Sequence, residues 1–285
     1  MSEDYTLSND RAETDTRQRD TVIAAGIQLN CSCDRENILK RAENYVKQAF
    51  DDYPHIDLIV LPEQFCRPGA DFNDLSDDDV KKWLKSLAVK YHVNIIGGSF
   101  ACISESNNDK PLNTCFVIDR NGCIVGKYNK IHLFDAFNVK ESDEFGAGDK
   151  LGIFDLDIGR VGVWICYDSR FPEVSRALSC AGADLFCVPA AFYKPHSEQW
   201  EVLLKAASVM NVTPLIAVNQ IGDLPNGRGF FGRSMATDAK GIITAGISDK
   251  EGFFVAEFDK AYTARCREAN PELKNRRFDL YRNWL

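Results

Sequence analysis

Nothing in these 285 residues reads as a membrane segment, because no apolar run approaches the ~20 residues a bilayer-spanning helix needs. The first twenty residues, MSEDYTLSNDRAETDTRQRD, have neither a basic start nor an apolar stretch, so they do not read as a secretory signal, and the expected location is the cytoplasm. They also lack periodicity and are expected to be a polar tail, residues 1–20, ahead of one domain spanning 21–285. Positive charge is in deficit: 34 Lys and Arg against 42 Asp and Glu leave a net charge of −8. That balance argues against a nucleic-acid backbone or an anionic lipid surface as partner. Histidine is scarce, with four residues, and the ten cysteines are scattered without a C-x-x-C pair or a Cys/His cluster. Zinc is therefore not expected, and free thiols in a reducing compartment fit better than a disulfide framework.

What is present is a repeated alternation of apolar runs and amphipathic stretches. Residues 22–29 (VIAAGIQL), 57–62 (DLIVLP), Asn94 to Ala101 and Asn113 to Ile118 read as strands. Between them, residues 34–51 and 77–91 carry apolar side chains at helical spacing, with Asp34 as the candidate cap of the first helix. The order then recurs: strand 161–166 (VGVWIC), helix 172–182, strand 184–189 (DLFCVP), helix 197–211 and strand 214–220. Asp57-Leu-Ile-Val-Leu-Pro62 parallels Asp184-Leu-Phe-Cys-Val-Pro189, and the turn Asp119-x-x-Gly122 parallels Asp238-x-x-Gly241. Continuous apolar strands of this kind are buried on both faces. The expected fold class is α/β, with two sheets packed together and helices on the outer faces.

In such folds chemistry collects at the carboxyl ends of strands. Cys166 ends an apolar run and is followed by a sharp turn into a helix that Pro172 begins, which presents a thiol near peptide N–H groups. The alternative is one more core thiol, as expected for Cys102, Cys115, Cys123 and Cys187. A cysteine nucleophile needs a base. None of the four histidines has an evident Asp or Asn to orient it, and His132 is read as a supporting residue near Lys130. A carboxylate drawn out of water can serve instead. Glu63, directly after DLIVLP, is the candidate, against a turn carboxylate. Lys130, in Lys127-Tyr-Asn-Lys130-Ile-His-Leu-Phe134, is the candidate cation for a developing oxyanion, against a surface lysine.

Leu61-Pro62-Glu63, Lys127 to Phe134, and Gly162-Val-Trp-Ile-Cys166-Tyr-Asp-Ser-Arg-Phe-Pro-Glu173 resemble, in order, the three signature blocks of the nitrilase superfamily of carbon–nitrogen hydrolases. Later stretches, including Trp200 to Ala207, Phe231-Gly-Arg-Ser234 and Asn275 to Tyr281, are also similar, so the resemblance runs from about residue 22 to 282. It implies a four-layer αββα sandwich without cofactor or metal. It also implies Glu63 as general base, Lys130 as stabiliser of the tetrahedral intermediate, Cys166 as nucleophile, and the Tyr167 amide completing the oxyanion hole. A second glutamate that positions the lysine is implied as Glu141, with Glu144 as the alternative.

The Tyr167-Asp168 pair resembles the amidase branches, and Ser169 to Glu173 resembles the ω-amidase and deaminated-glutathione-amidase groups. Their substrates are small amides bearing a carboxylate, for which Arg170 is a candidate partner; the competing role is an ion pair with Glu173. Phe192, Tyr193 and His196 are candidates to line the pocket, and Asn219 to Arg228 is a candidate rim loop. N-carbamoyl amide hydrolysis, nitrile hydrolysis and a catalytically silent binding module are the alternatives. The resemblance further implies a homodimer or higher homo-oligomer through helices 172–182 and 197–211. The C-terminal arm, about 260–285 with Phe278, Tyr281 and Trp284 among Arg276, Arg277 and Arg282, either crosses to a partner or folds onto its own subunit.

Overall fold

Strand and helix assignments follow the burial pattern of the chain in a computed structural model that describes residues 20–31, 35–66, 77–103, 110–224 and 227–281. The tail up to residue 19, the Asp34 cap, and Arg282 and Trp284 of the arm lie outside the described residues. Among the described residues no helix is long and apolar enough to cross a membrane.

The five longer helices are α1 (Arg35–Asp52), α2 (Asp77–Tyr91), α3 (Pro172–Cys180), α4 (Ser197–Asn211) and α5 (Lys260–Ala269). One sheet runs in the order Gly252–Asp259, Thr21–Gln28, Leu58–Val60, Asn94–Ile96, Leu112–Ile118, Phe100–Cys102, with Ile124–Asn129 also paired to Leu112–Ile118. The other runs Ile243–Gly246, Met235–Thr237, Leu215–Asn219, Leu185–Ala190, Gly159–Val163, Gly152–Leu156. In each, three parallel strands form the centre and antiparallel strands flank them.

The period-2 rule divides the first sheet's side chains between two cores. Ala24, Leu58, Val60, Cys115 and Val117 point into a cluster shared with Val161, Val163, Phe186 and Val218 of the second sheet. Their sequence neighbours Ala25, Ile59, Leu61, Phe116 and Ile118 point the other way, onto Ile38 and Val46 of α1 and Val80 and Leu84 of α2. Val174 and Leu178 of α3 and Leu204 of α4 continue the shared cluster on the far side of the second sheet. The layers are therefore helix, sheet, sheet, helix, as the αββα expectation requires. Each aliphatic side chain fully buried in these layers is worth about 1.5–3 kcal/mol over its exposed state.

The two halves match in detail. Asp57 Oδ2 accepts from Ile23 N at 3.1 Å and Asp184 Oδ2 from Arg160 N at 3.0 Å, each pinning a first strand to a second. Asp119 Oδ1 accepts from Asn121 N and Cys123 N, as Asp238 Oδ1 does from Lys240 N and Ile242 N, closing the same Asx turn.

Two strands differ from the sequence expectation. The stretch Asn94 to Ala101 is broken into Asn94–Ile96 and Phe100–Cys102. Gly98, at φ +60, turns the chain so that Ser99 N reaches Pro62 O at 3.2 Å, and a Cβ there would lie 2.3 Å from the same carbonyl. The 161–166 run pairs only as far as Val163, after which the chain leaves the sheet toward Cys166. Within the described part of the arm, Arg267 donates to Val212 O and Ala183 O of the same chain, and Arg276 Nη1 lies 2.8 Å from Cys180 Sγ.

Candidate active site

Glu63 begins the turn after the strand Leu58–Val60 and is 3% exposed. That turn is held by Gln64 N donating to Ser99 Oγ at 3.0 Å, with Gln64 in the left-handed region at φ 47. Three donors hold the Glu63 carboxylate: Oε1 accepts from Lys130 Nζ at 2.8 Å and Asn113 Nδ2 at 2.9 Å, and Oε2 accepts from Ala191 N at 2.8 Å. Gln220 Nε2 donates to Glu63 O at 2.6 Å, so the second sheet fixes the backbone as well.

Lys130 follows the strand Ile124–Asn129, and its ammonium is as buried as a core leucine, at 2%. It bridges Glu63 Oε1 and Glu141 Oε2, both at 2.8 Å. Burial pulls its pKa down, but the Glu63, Glu141 and Cys166 charges outweigh this and hold it well above the ordinary lysine value. Glu141 opens a short 3-10 turn and also accepts from Phe134 N at 2.6 Å and Asn113 Nδ2 at 3.1 Å. Glu141, not the exposed Glu144, touches the lysine.

Cys166 starts the 3-10 turn Cys166–Arg170 at φ 47, a conformation that costs a residue with a Cβ about 1–3 kcal/mol. Its thiol is buried and faces the Glu63 carboxylate, Lys130 and the Ala191 amide. Burial pushes the thiol pKa up, the Glu63 charge pushes it further, and Lys130 opposes both; the net is well above the ordinary cysteine value. The sulfur thus stands beside a carboxylate that can take its proton.

The flanking candidates are placed differently. Tyr167 stands edge-on to Phe134 and Phe171, with centroids 4.9 and 5.4 Å away. Arg170 makes no ion pair with Glu173 among the described residues; the expected brace does not form. Its guanidinium lies 5.3 Å from the Phe192 ring centroid and 5.8 Å from that of Tyr167, and Nη2 donates to Gln199 at 2.6 Å. Its Nε is buried without a partner. Phe192 packs on Trp200 and Phe231 in the core, so it meets the site only through the Arg170 resting on its face. His196 packs tilted against Phe137, ring centroids 4.5 Å apart, and burial, then Arg170, lower its pKa. In the Asn219 to Arg228 stretch, residues 225–226 lie outside the described residues, while Ile221–Asp223 forms a hairpin with Gly229–Phe231.

Two roles escaped the sequence reading, those of Asn113 and Asp168. Asn113, fully buried, donates to both carboxylates; its signal was a polar residue opening an apolar strand. Asp168 orients His132, Nδ1 lying 2.8 Å from Oδ1, which corrects the reading that no histidine has an orienting acid. The pair is 36 positions apart in sequence, so no local pattern shows it. Tyr193 lies between the cluster and Arg228: burial and the Glu63 charge raise its pKa, and Arg228, 5.8 Å from its ring centroid, lowers it.

A cavity of about 780 Å³ between α5 and the ends of the central strands contains none of these residues and no cysteine or histidine, so it is not where this chemistry sits.

Residues 23–268 match the family described as carbon-nitrogen hydrolase. A probable nitrilase of Schizosaccharomyces pombe is 34% identical over 268 residues, covering 89% of this chain and 94% of that one. A 2-oxoglutaramate amidase of Bacillus subtilis is 34% identical over 266 residues, covering 92% and 99%. Among solved structures, a carbon-nitrogen hydrolase from Helicobacter pylori superposes with a TM-score of 0.86 at 27% identity, covering 93% of this chain and 98% of that one.

Proposed function

Because this chain belongs to the carbon-nitrogen hydrolase family, we propose that it hydrolyses small carboxylic amides through a thioester on Cys166, in the manner of an ω-amidase. The observation that carries the reading is the meeting of a buried thiol, a buried carboxylate and a buried ammonium in one cluster.

The chemistry follows from the charges. Glu63 takes the Cys166 proton as sulfur attacks the amide carbonyl carbon. The electron pair of the C=O bond moves to oxygen, and the oxyanion lies against the Lys130 ammonium and the Tyr167 amide. A preorganised donor of this kind is worth ~3–4 kcal/mol. Glu63 returns its proton to the amide nitrogen, the C–N bond breaks, and ammonia leaves. Water then attacks the thioester while Glu63 takes its proton; the C–S bond breaks, the thiol is reprotonated and the acid departs. Glu141 and Asn113 hold the ammonium and carboxylate in place, so no side chain has to reorganise.

The B. subtilis relative is named for an amide that bears a carboxylate. Arg170, laid across aromatic faces with a buried, unpartnered Nε, supports recognition of an anionic substrate group here, with Tyr167 and His196 beside it. Exposed Val202, Val209 and Met210 on α4 support self-association through α3 and α4. The free thiols of the described cysteines suit a reducing cytoplasm.

Ammonia release across 2-oxoglutaramate, neutral amides, carbamoyl compounds and nitriles tests the reading, with Cys166→Ala as control. The expected result is turnover of acidic amides and an acylated Cys166 by mass spectrometry. Turnover of nitriles alone would assign nitrilase chemistry. No turnover with an unlabelled Cys166 would leave a binding module.

A further inference from the structure

Lys130 and Cys166 must keep a fixed separation, yet they hang from different sheets: Lys130 from the end of Ile124–Asn129, Cys166 from beyond Gly159–Val163. One side chain ties the two supports together. Asp168, 1% exposed, has both oxygens doubly occupied. Oδ2 accepts from Ile165 N at 3.0 Å and Tyr128 OH at 2.7 Å. Oδ1 accepts from His132 N at 2.9 Å and lies 2.8 Å from His132 Nδ1.

The sequence positions of these donors give the arrangement its meaning. Tyr128 and His132 stand two residues before and two residues after Lys130. Ile165 immediately precedes Cys166. A single buried carboxylate therefore grips the lysine loop on both sides and the nucleophile turn at its entry. Both supports depart from regular strand geometry: the turn carries a left-handed Cys166, and Lys130 lies just past the end of its strand. His132 is itself stacked on Phe171, centroids 3.6 Å apart, which returns the contact to the residue closing the Cys166 turn.

We infer that Asp168, acting through Tyr128 and His132, is a positioning residue that sets the register between the Lys130 ammonium and the Cys166 sulfur. The inference rests on the amidase reading and adds to it a bond network that touches neither substrate nor reacting atoms. Charged acceptors make the stronger hydrogen bonds, so the clamp depends on Asp168 being a carboxylate. Displacing a reacting group by about 1 Å costs about 100-fold in rate.

The test compares Asp168→Asn, Tyr128→Phe, His132→Ala and His132→Asn for kcat, KM, rate of Cys166 alkylation by iodoacetamide, and melting temperature. Asp168→Asn is expected to lower kcat about 100-fold with KM little changed, while alkylation, which needs the deprotonated sulfur but no donor to an oxyanion, falls less than about threefold. Tyr128→Phe and His132→Ala are expected to lower kcat about tenfold, and His132→Asn, which keeps a donor near the Nδ1 position, to restore most of it. A wild-type kcat in Asp168→Asn and Tyr128→Phe would overturn the inference. So would losses of kcat that track alkylation and melting temperature, because that pattern marks a merely structural role. A wild-type protein that hydrolyses no amide would instead sink the functional reading.

Discussion

Removing the Lys130 ammonium should destabilise the protein far more than removing all three charges of its cluster. The ammonium is 2% exposed and 2.8 Å from a carboxylate oxygen on each side, with the partners' side chains 4% and 10% exposed. Lys130→Ala leaves Glu63 and Glu141 facing each other across a void, joined only through Asn113. Breaking a buried pair by deleting one partner costs about 3–5 kcal/mol, because the survivor keeps its desolvation penalty. With a urea slope of about 3 kcal/mol/M, the unfolding midpoint should fall by about 1–1.7 M. Lys130→Ala combined with Glu63→Gln and Glu141→Gln removes the orphaned charges and should recover most of that loss, since neutral replacement of buried ion sets is often tolerated. The pH dependence has a definite sign. The folded-state pKa of Lys130 is raised, so its contribution is fully present below the unfolded value of about 10.4 and is lost only as pH rises through the higher folded value. On the alkaline side, the gap between wild type and Lys130→Ala should hold until pH rises through the raised Lys130 value and narrow only there. Equal urea midpoints for wild type and Lys130→Ala at pH 7 would refute the reasoning.

Glu63→Gln should abolish amide turnover by about 100- to 10,000-fold while lowering the thiolate titration midpoint of Cys166, followed at 240 nm, because the Glu63 charge is what raises it above the burial effect and Lys130 is then unopposed. A midpoint that rises would contradict this. Gly98→Ala places a methyl 2.3 Å from Pro62 O at φ +60, so thermal melting should show a loss above about 1 kcal/mol, and kcat should fall with it because the clash falls on the residue preceding Glu63. Asn113→Ala removes a donor to each glutamate; hydrogen bonds to charged groups are worth about 1.5–3 kcal/mol each, and urea titration should register the sum less relaxation.

The layers were legible because period-2 and period-3.6 patterns are set by burial, and burial is what the sandwich imposes. Val60, Leu84 and Phe186 announced themselves as core. The three signature blocks stood where strands end. What stayed hidden depends on contacts between distant segments. Asp168 and His132, Asn113 and the two glutamates, and Arg170 over Phe192 are partners that only folding brings together. Local rules also overreached twice. An apolar run was read as one strand through Gly98, whose left-handed turn is required by Pro62, and Arg170 was given its near neighbour Glu173 when two aromatic faces and Gln199 were closer in space.

The matched strand ends also explain why the internal symmetry stops where the chemistry begins. By the paired strings, Glu63 occupies in the first repeat the place that Ala190 holds in the second, and the two meet across the pseudo-twofold axis, Glu63 N donating to Ala190 O at 3.3 Å. A carboxylate at both places would set two anions against each other in the driest part of the molecule. The repeats have therefore divided the labour. On the amidase reading, one carries the carboxylate and the cation, the other carries the sulfur and a backbone donor, and a single repeat, however well folded, would own only a fraction of the proposed catalyst.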